Sequence, residues 1–244
     1  MTLAAESTRS QQSEPDIFYP SEDGEPLAET SMHADAIITT VAVLRNYLAA
    51  FPEKSPVVLA DQFLYYAQGF PRLRVAPDVM VIFEIPQIPY DNYKIWETGK
   101  VPSVIFEMTS AGTQTQDRDH KKMLYESIGV REYWLFDPKG EWIAEQLRGY
   151  RLQETDPDLD PVYVAIADKS SQVLGLRLEV EDGSIGFYRQ DTGEKLLIPS
   201  ELSEAWQAQK QIIEQERQRA EAAEQEAQRL RDRLLALGID PDAV

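Results

Sequence analysis

A chain of 244 residues with 43% hydrophobic content can hold one sizeable core plus appendages, so one main domain is the default. It contains no cysteine, which excludes a disulfide framework and a thiolate metal site and suits a reducing, cytoplasmic setting. Its formal net charge of −18 argues against broad electrostatic capture of nucleic acid, because phosphate binding draws on a basic surface.

Residues 1–16 are dominated by Ser, Thr, Gln and Glu without an apolar period and read as a disordered leader. No signal-peptide pattern opens the chain and no run of eighteen apolar residues occurs in it, so secretion and membrane spanning are not expected. From Ser31 to about Ala50, Ile37, Val41, Leu44 and Leu48 recur at helical spacing, with Thr30 or Ser31 as cap and Pro52 as stop. Glu29 and His33 stand near the start of this helix. Read plainly, Glu29 is a solvated acid favoured by the helix dipole and His33 a surface or capping residue. Val57–Asp61 reads as a short strand, with Phe63–Tyr66 extending it or pairing with it. Arg72 and Arg74 then lead into Pro77-Asp78 and the apolar run Val79–Phe83. Between Ile85 and Pro102 lies a loop carrying Tyr90, Tyr93 and Trp96, aromatics that either pack the loop onto the domain or stack on bases.

A second apolar run, Val104–Phe106, ends on Glu107. Burying that carboxylate unpaired would cost several kcal/mol, so it must meet a metal, a lysine or backbone amides. Thr109–Thr113 reads as a polar turn whose hydroxyls cap or shape the chain there or contact a phosphate. Gln116–Ile128 reads as a helix, with Met123, Leu124 and Ile128 available for burial and Gly129 as its stop. Asp117, Lys121 and Tyr125 are spaced by four and share one face of it, whereas Lys122 lies about 100° round. A third run, Tyr133–Phe136, ends at Asp137-Pro138. Two apolar runs thus each bring one carboxylate to a sheet edge, and the helix brings an ammonium group. Such runs separated by a single helix build a buried mixed sheet, on which Asp78, Glu107 and Lys121 can converge. Two carboxylates can hold a hard divalent cation such as Mg²⁺, and a neighbouring lysine can orient a water or neutralise charge on a phosphate.

Downstream, Trp142–Leu147, Tyr163–Ala167, Leu176–Val180 and Ile185–Tyr188 read as short strands of an antiparallel extension. From about Glu201, Trp206, Ile213, Ala220, Ala227 and Leu234 repeat every seven residues, and Leu202, Ala223, Leu230 and Leu237 occupy the companion seam. Gln209 and Glu216 interrupt it, and Gly238 and Pro241 end it. The segment is a coiled coil, offering a route to homo-oligomers, or a long solvated helix. The resulting division is a leader at 1–16, a main domain at 17–200, a helix at 201–238 and a tail at 239–244.

Taken together, Pro77-Asp78, Glu107-Met108-Thr109-Ser110, Asp117, Lys121 and Tyr125, Gly129-Val130 and the string Glu132–Pro138 resemble the Uma2 (DUF820) family. That family belongs to the PD-(D/E)XK, or restriction-endonuclease-like, superfamily, and the similarity runs over about residues 17–200. The resemblance implies an α/β fold: a restriction-endonuclease-like mixed sheet flanked by helices, with the antiparallel β extension and the C-terminal helix appended. It implies a Mg²⁺- or Mn²⁺-dependent endonuclease, a hydrolase acting on DNA. It makes Asp78 and Glu107 the metal-binding carboxylates, Lys121 the catalytic lysine, and Glu29, His33, Asp117 and Tyr125 auxiliary groups. The superfamily's lysine usually stands two residues after the second acid, where this chain has Thr109, so the amine has to come from the helix. Two other readings remain open: a non-catalytic interaction module that keeps the fold and assembles through its helical tail, and a hydrolase of smaller phosphate esters.

Overall fold

The computed structural model describes residues 17–22, 24, 30–109, 116–154 and 159–238, with the backbone alone for 116–118. The expected leader at 1–16, Glu29 and the tail at 239–244 lie outside the described residues. Helix α1 (Ser31–Leu48) starts where Thr30 Oγ1 accepts a hydrogen bond from His33 N at 3.4 Å, and buries Ala36, Val43, Leu44 and Leu48. There follow β1 (Val57–Ala60), β2 (Leu64–Tyr65), β3 (Arg74–Val75), β4 (Val79–Ile82), β5 (Tyr93–Lys94), the single turn α2 (Ile95–Thr98) and β6 (Val104–Met108). A π-helical turn at Gln116–Lys121 runs into α3 (Lys122–Ile128), then β7 (Glu132–Phe136), β8 (Leu147–Gln153) and β9 (Val162–Ile166). The strands β10 (Ser170–Ser171), β11 (Leu176–Glu181), β12 (Ser184–Arg189) and β13 (Lys195–Leu196) precede the long helix α4 (Pro199–Ala236).

Six strands form the main sheet in the order β1-β4-β6-β7-β8-β9. β6 and β7 run parallel and every other neighbouring pair is antiparallel, so the sheet is mixed. A parallel pair needs a crossover, and the segment containing α3 supplies it. Every residue of β4, β6 and β7 is buried, which is why Val79–Ile82, Val104–Phe106 and Tyr133–Phe136 are apolar without alternation. On one face Met80, Ile82, Ile105, Tyr133 and Leu135 pack with Tyr125 of α3, Val130 and Tyr163. On the other, Phe106 meets Phe187 of β12 edge-on, and α1 lies against β1, β4, β6 and β12. Gly149 of β8 stands opposite Trp134, where an added Cβ would come within 2.5 Å of the indole. The antiparallel extension is present both as β8 and β9 on the main sheet and as the separate sheet β10-β11-β12-β13.

Three local expectations differ from the structure. Phe63–Tyr66 does not extend β1, because Asp61 turns the chain with a φ of 49°, its N–H held by Pro77 O at 3.1 Å. β2 instead pairs with β3 and, in parallel, with β5. Trp142–Leu147 is a turn rather than a strand, since the buried Asp137 carboxylate captures the amides of Lys139, Gly140, Trp142 and Ile143 and folds the backbone around itself. The strand begins only at Leu147. Met123 is exposed, while Tyr125 is fully buried and Leu124 and Ile128 pack against the core. The chain separates into two compact units, one ending at Leu196 and the other beginning at Leu197.

Candidate active site

The site is built at the ends of β4 and β6. Their ladder pairs Val79 with Phe106, and one step further in the same register Asp78 stands opposite Glu107. There each acid bonds the other strand's backbone: Asp78 Oδ2 accepts from Met108 N at 2.5 Å, and Asp78 N donates to Glu107 Oε2 at 3.4 Å. This reciprocal latch replaces the ladder and holds both carboxylates where the sheet opens. Alternation along β6 puts Glu107 on the same face as Ile105, toward α3.

Glu107 is 1% exposed. Lys121 Nζ donates to its Oε2 at 2.8 Å and the Tyr125 hydroxyl to its Oε1 at 2.6 Å. Lys121 ends the π-helical turn and Tyr125 follows four residues later, so both project from one side of the crossover onto the carboxylate. Lys122 points elsewhere: its ammonium sits 4.7 Å from the centroid of the Tyr150 ring, a cation–π contact. His33, buried on α1, brings Nε2 to 3.8 Å from Asp78 Oδ2, within ion-pair range but beyond a hydrogen bond. The Asp78 side chain keeps 19% of its surface open to solvent and Lys121 keeps 12%, against 1% for Glu107, so the cluster has one wet side.

The cluster is chemically suited to a hard cation. Two carboxylates face one ammonium, leaving a net negative centre when His33 is neutral, and carboxylate oxygens are the ligands that Mg²⁺ and Mn²⁺ prefer. Among the described residues no three acidic or histidine side chains are grouped to hold an ion, so any cation held here relies on two carboxylates, water and substrate oxygens. Thr109, the residue after the end of β6, donates its N–H to Phe136 O at 2.7 Å. Its Oγ1 is buried with no hydrogen-bond partner among the described residues.

The sequence-predicted groups fall as follows. Asp78, Glu107, Lys121, Tyr125 and His33 come together. Asp117 lies in the π-helical turn with its side chain outside the described residues, as is the whole of Glu29. Two further buried carboxylates were not singled out. Asp137 organises the turn after β7. Glu132, at the other end of β7 from the site, accepts from Arg151 Nε at 3.1 Å, Ser171 Oγ at 2.5 Å and Gln172 N at 2.9 Å. The run Asp137-Pro-Lys-Gly carried a turn signal in the sequence. Glu132 carried none, because its three shortest bonds come from Arg151, Ser171 and Gln172, 19 to 40 residues away.

The Uma2 family model, described as "Putative restriction endonuclease", matches residues 5–181, which is 177 of the 244 residues. Among solved structures, the chain is similar to the crystal structure of "a putative nuclease belonging to DUF820" from Anabaena variabilis ATCC 29413. The two share 17% identity at a TM-score of 0.44, over 65% of this chain and 82% of that one. No curated protein matches.

Proposed function

This chain belongs to the Uma2 family, and on that premise we propose that it is a metal-dependent endonuclease hydrolysing phosphodiester bonds in DNA. One observation carries the reading: the buried Glu107 carboxylate, Lys121 Nζ at 2.8 Å and the Asp78 backbone at 3.4 Å share one spot. Asp78 and Glu107 would hold the cation, Mg²⁺ or Mn²⁺. When bound, the ion polarises the scissile phosphate and lowers the pKa of a coordinated water. The rest is done by the chain. The Met108 amide orients the Asp78 carboxylate. Tyr125 fixes the rotation of the Glu107 carboxylate by donating to one of its oxygens. Lys121 supplies a positive charge to a phosphate whose negative charge grows during displacement, as well as to Glu107 beside it. His33 is an auxiliary group on Asp78, and Glu29 and Asp117 are proposed auxiliaries by resemblance.

A net charge of −18 repels DNA, so substrate binding is expected to be weak, salt-sensitive and assisted by divalent ions. The catalytic domain is proposed to span 17–200, with the helix at 201–238 as an appendage. Its compartment is proposed as the cytoplasm, a reading that rests on the cysteine-free composition. No helix of the described residues is long and apolar enough to cross a membrane.

A second reading has an observation of its own. Both Glu107 oxygens already accept bonds within the chain, which also fits a purely structural tie in a non-catalytic interaction module. Plasmid cleavage with Mg²⁺ or Mn²⁺, alongside calorimetric titration of the metal, decides between them. Asp78→Ala and Glu107→Ala are expected to abolish both cleavage and metal binding while leaving the circular dichroism spectrum intact. Substantial cleavage by either variant rejects the assignment, and an intact protein that binds no metal favours the module.

A further inference from the structure

The helix α4 carries an exposed apolar line. It runs for 38 residues, about 57 Å, and none of its residues is buried. Trp206 is 71% exposed and Ile213 56%, and Leu202, Leu230 and Leu237 are exposed as well. With Trp206 as heptad position a, the seam reads Trp206, Ile213, Ala220, Ala227 and Leu234 at a, and Leu202, Gln209, Glu216, Ala223, Leu230 and Leu237 at d. A sustained a/d line on a helix of this length is the surface of a two-stranded coiled coil.

The flanking charges choose the occupant. Positions g are Arg219, Glu226 and Arg233 in the second half of the helix, and positions e are Arg217, Glu224 and Arg231. In a parallel pair each g residue faces the e residue five positions on in the other chain. Two copies of α4 in register therefore set Arg219 against Glu224 and Glu226 against Arg231, twice each, with no like-charge pair between g and e positions. Sliding one copy by a heptad sets Arg219 against Arg231, Glu226 against Glu224 and Arg233 against Arg231. Turning one copy round, with the alanine layers kept together, keeps Arg217 against Glu224 and Arg219 against Glu226 but sets Lys210 against Arg231 at both ends, two like-charge flanking pairs that the parallel register lacks. Within the chain Arg217 is engaged by Glu214 and Glu226 by Arg229, whereas Arg219, Glu224 and Arg231 make no ion pair among the described residues.

We infer that α4 is a parallel, in-register homodimerisation helix whose occupant is a second copy of this chain. Glu216 facing its own counterpart is the one adverse layer, set beside Arg217 of the second copy at e. A polar residue at such a position fixes register at a cost in stability. Trp206 and Ile213 on one side of it, and Leu230, Leu234 and Leu237 on the other, supply the apolar contact. None of these residues belongs to the acid cluster, so pairing of α4 is independent of nuclease activity.

The chain's lack of cysteine makes the test clean. Light scattering on the full chain should give twice the chain mass of 27.8 kDa, and Ile213→Glu should return it to 27.8 kDa with the thermal transition of the first unit unchanged. Leu202→Cys and Leu230→Cys should each cross-link fully to themselves on oxidation, giving dimers on a non-reducing gel. A 27.8 kDa species for the unsubstituted chain overturns the inference, as does an assembly larger than a dimer. Cross-linking that occurs only when Ile213→Cys and Leu230→Cys chains are mixed overturns the parallel orientation.

Discussion

Replacing Lys121 with Met removes the ammonium from Glu107 while keeping the length of the side chain. Glu107 is 1% exposed, and breaking a buried ion pair from one side costs about 3–5 kcal/mol because the other charge is left behind. The Tyr125 hydroxyl at 2.6 Å and the Asp78 amide at 3.4 Å still donate to the carboxylate, so the low end, about 3 kcal/mol, is expected. Urea unfolding followed by Trp fluorescence measures it, since Trp134 is fully buried in the same sheet. Glu107→Gln alone should also destabilise, by leaving a half-buried ammonium. The double variant should lose much less than the sum of the two, with a coupling of roughly 2 kcal/mol. A change below about 0.5 kcal/mol for Lys121→Met would refute the argument, because that is the scale of an ordinary surface substitution.

Asp137→Ala should cost about 3–4 kcal/mol by urea midpoint, since four backbone amides lose a charged acceptor, and Asp137→Asn, which can accept through one oxygen, should fall between. Gly149→Ala forces a Cβ into the Trp134 ring at 2.5 Å and should cost about 1–3 kcal/mol in the same assay; no measurable change would mean that the indole is free to move. Burial holds the Tyr163 phenol protonated well above its ordinary pKa of 10.0. The unfolded chain loses that proton near pH 10, so this contribution is complete below pH 10 and declines above it by about 1.4 kcal/mol per pH unit. Tyr163→Phe should flatten the alkaline slope by that one proton in pH-dependent denaturation curves.

How much of this could be read from the sequence depended on how each group finds its partners. β4, β6 and β7 were legible because strands buried on both faces need uninterrupted apolar runs, and each run stops at the residue that meets solvent or charge. The choice of Lys121 over Lys122 followed from spacing to Tyr125, and the two side chains do diverge, one onto Glu107 and the other onto Tyr150. The three-stranded sheet β3-β2-β5 was not legible, because strands of two residues carry no period and their pairing is set by loops. Trp142–Leu147 misled for the opposite reason. Its apolar residues look like a strand, but Asp137 offers their amides a nearer acceptor than any neighbouring strand. Nor could the latch between Asp78 and Met108 be read, since a backbone amide carries no residue identity.

The π-helical turn at Gln116–Lys121 has a consequence for how this chain tolerates change in length. A π turn holds one residue more than an α turn, so an insertion or deletion just upstream is taken up by tightening or widening that single turn. Everything from Lys121 onward stays anchored through Tyr125 and the core beneath it. Passed along an unbroken α-helix instead, the same edit would rotate the amine about 100° off its acid and present Lys122 in its place.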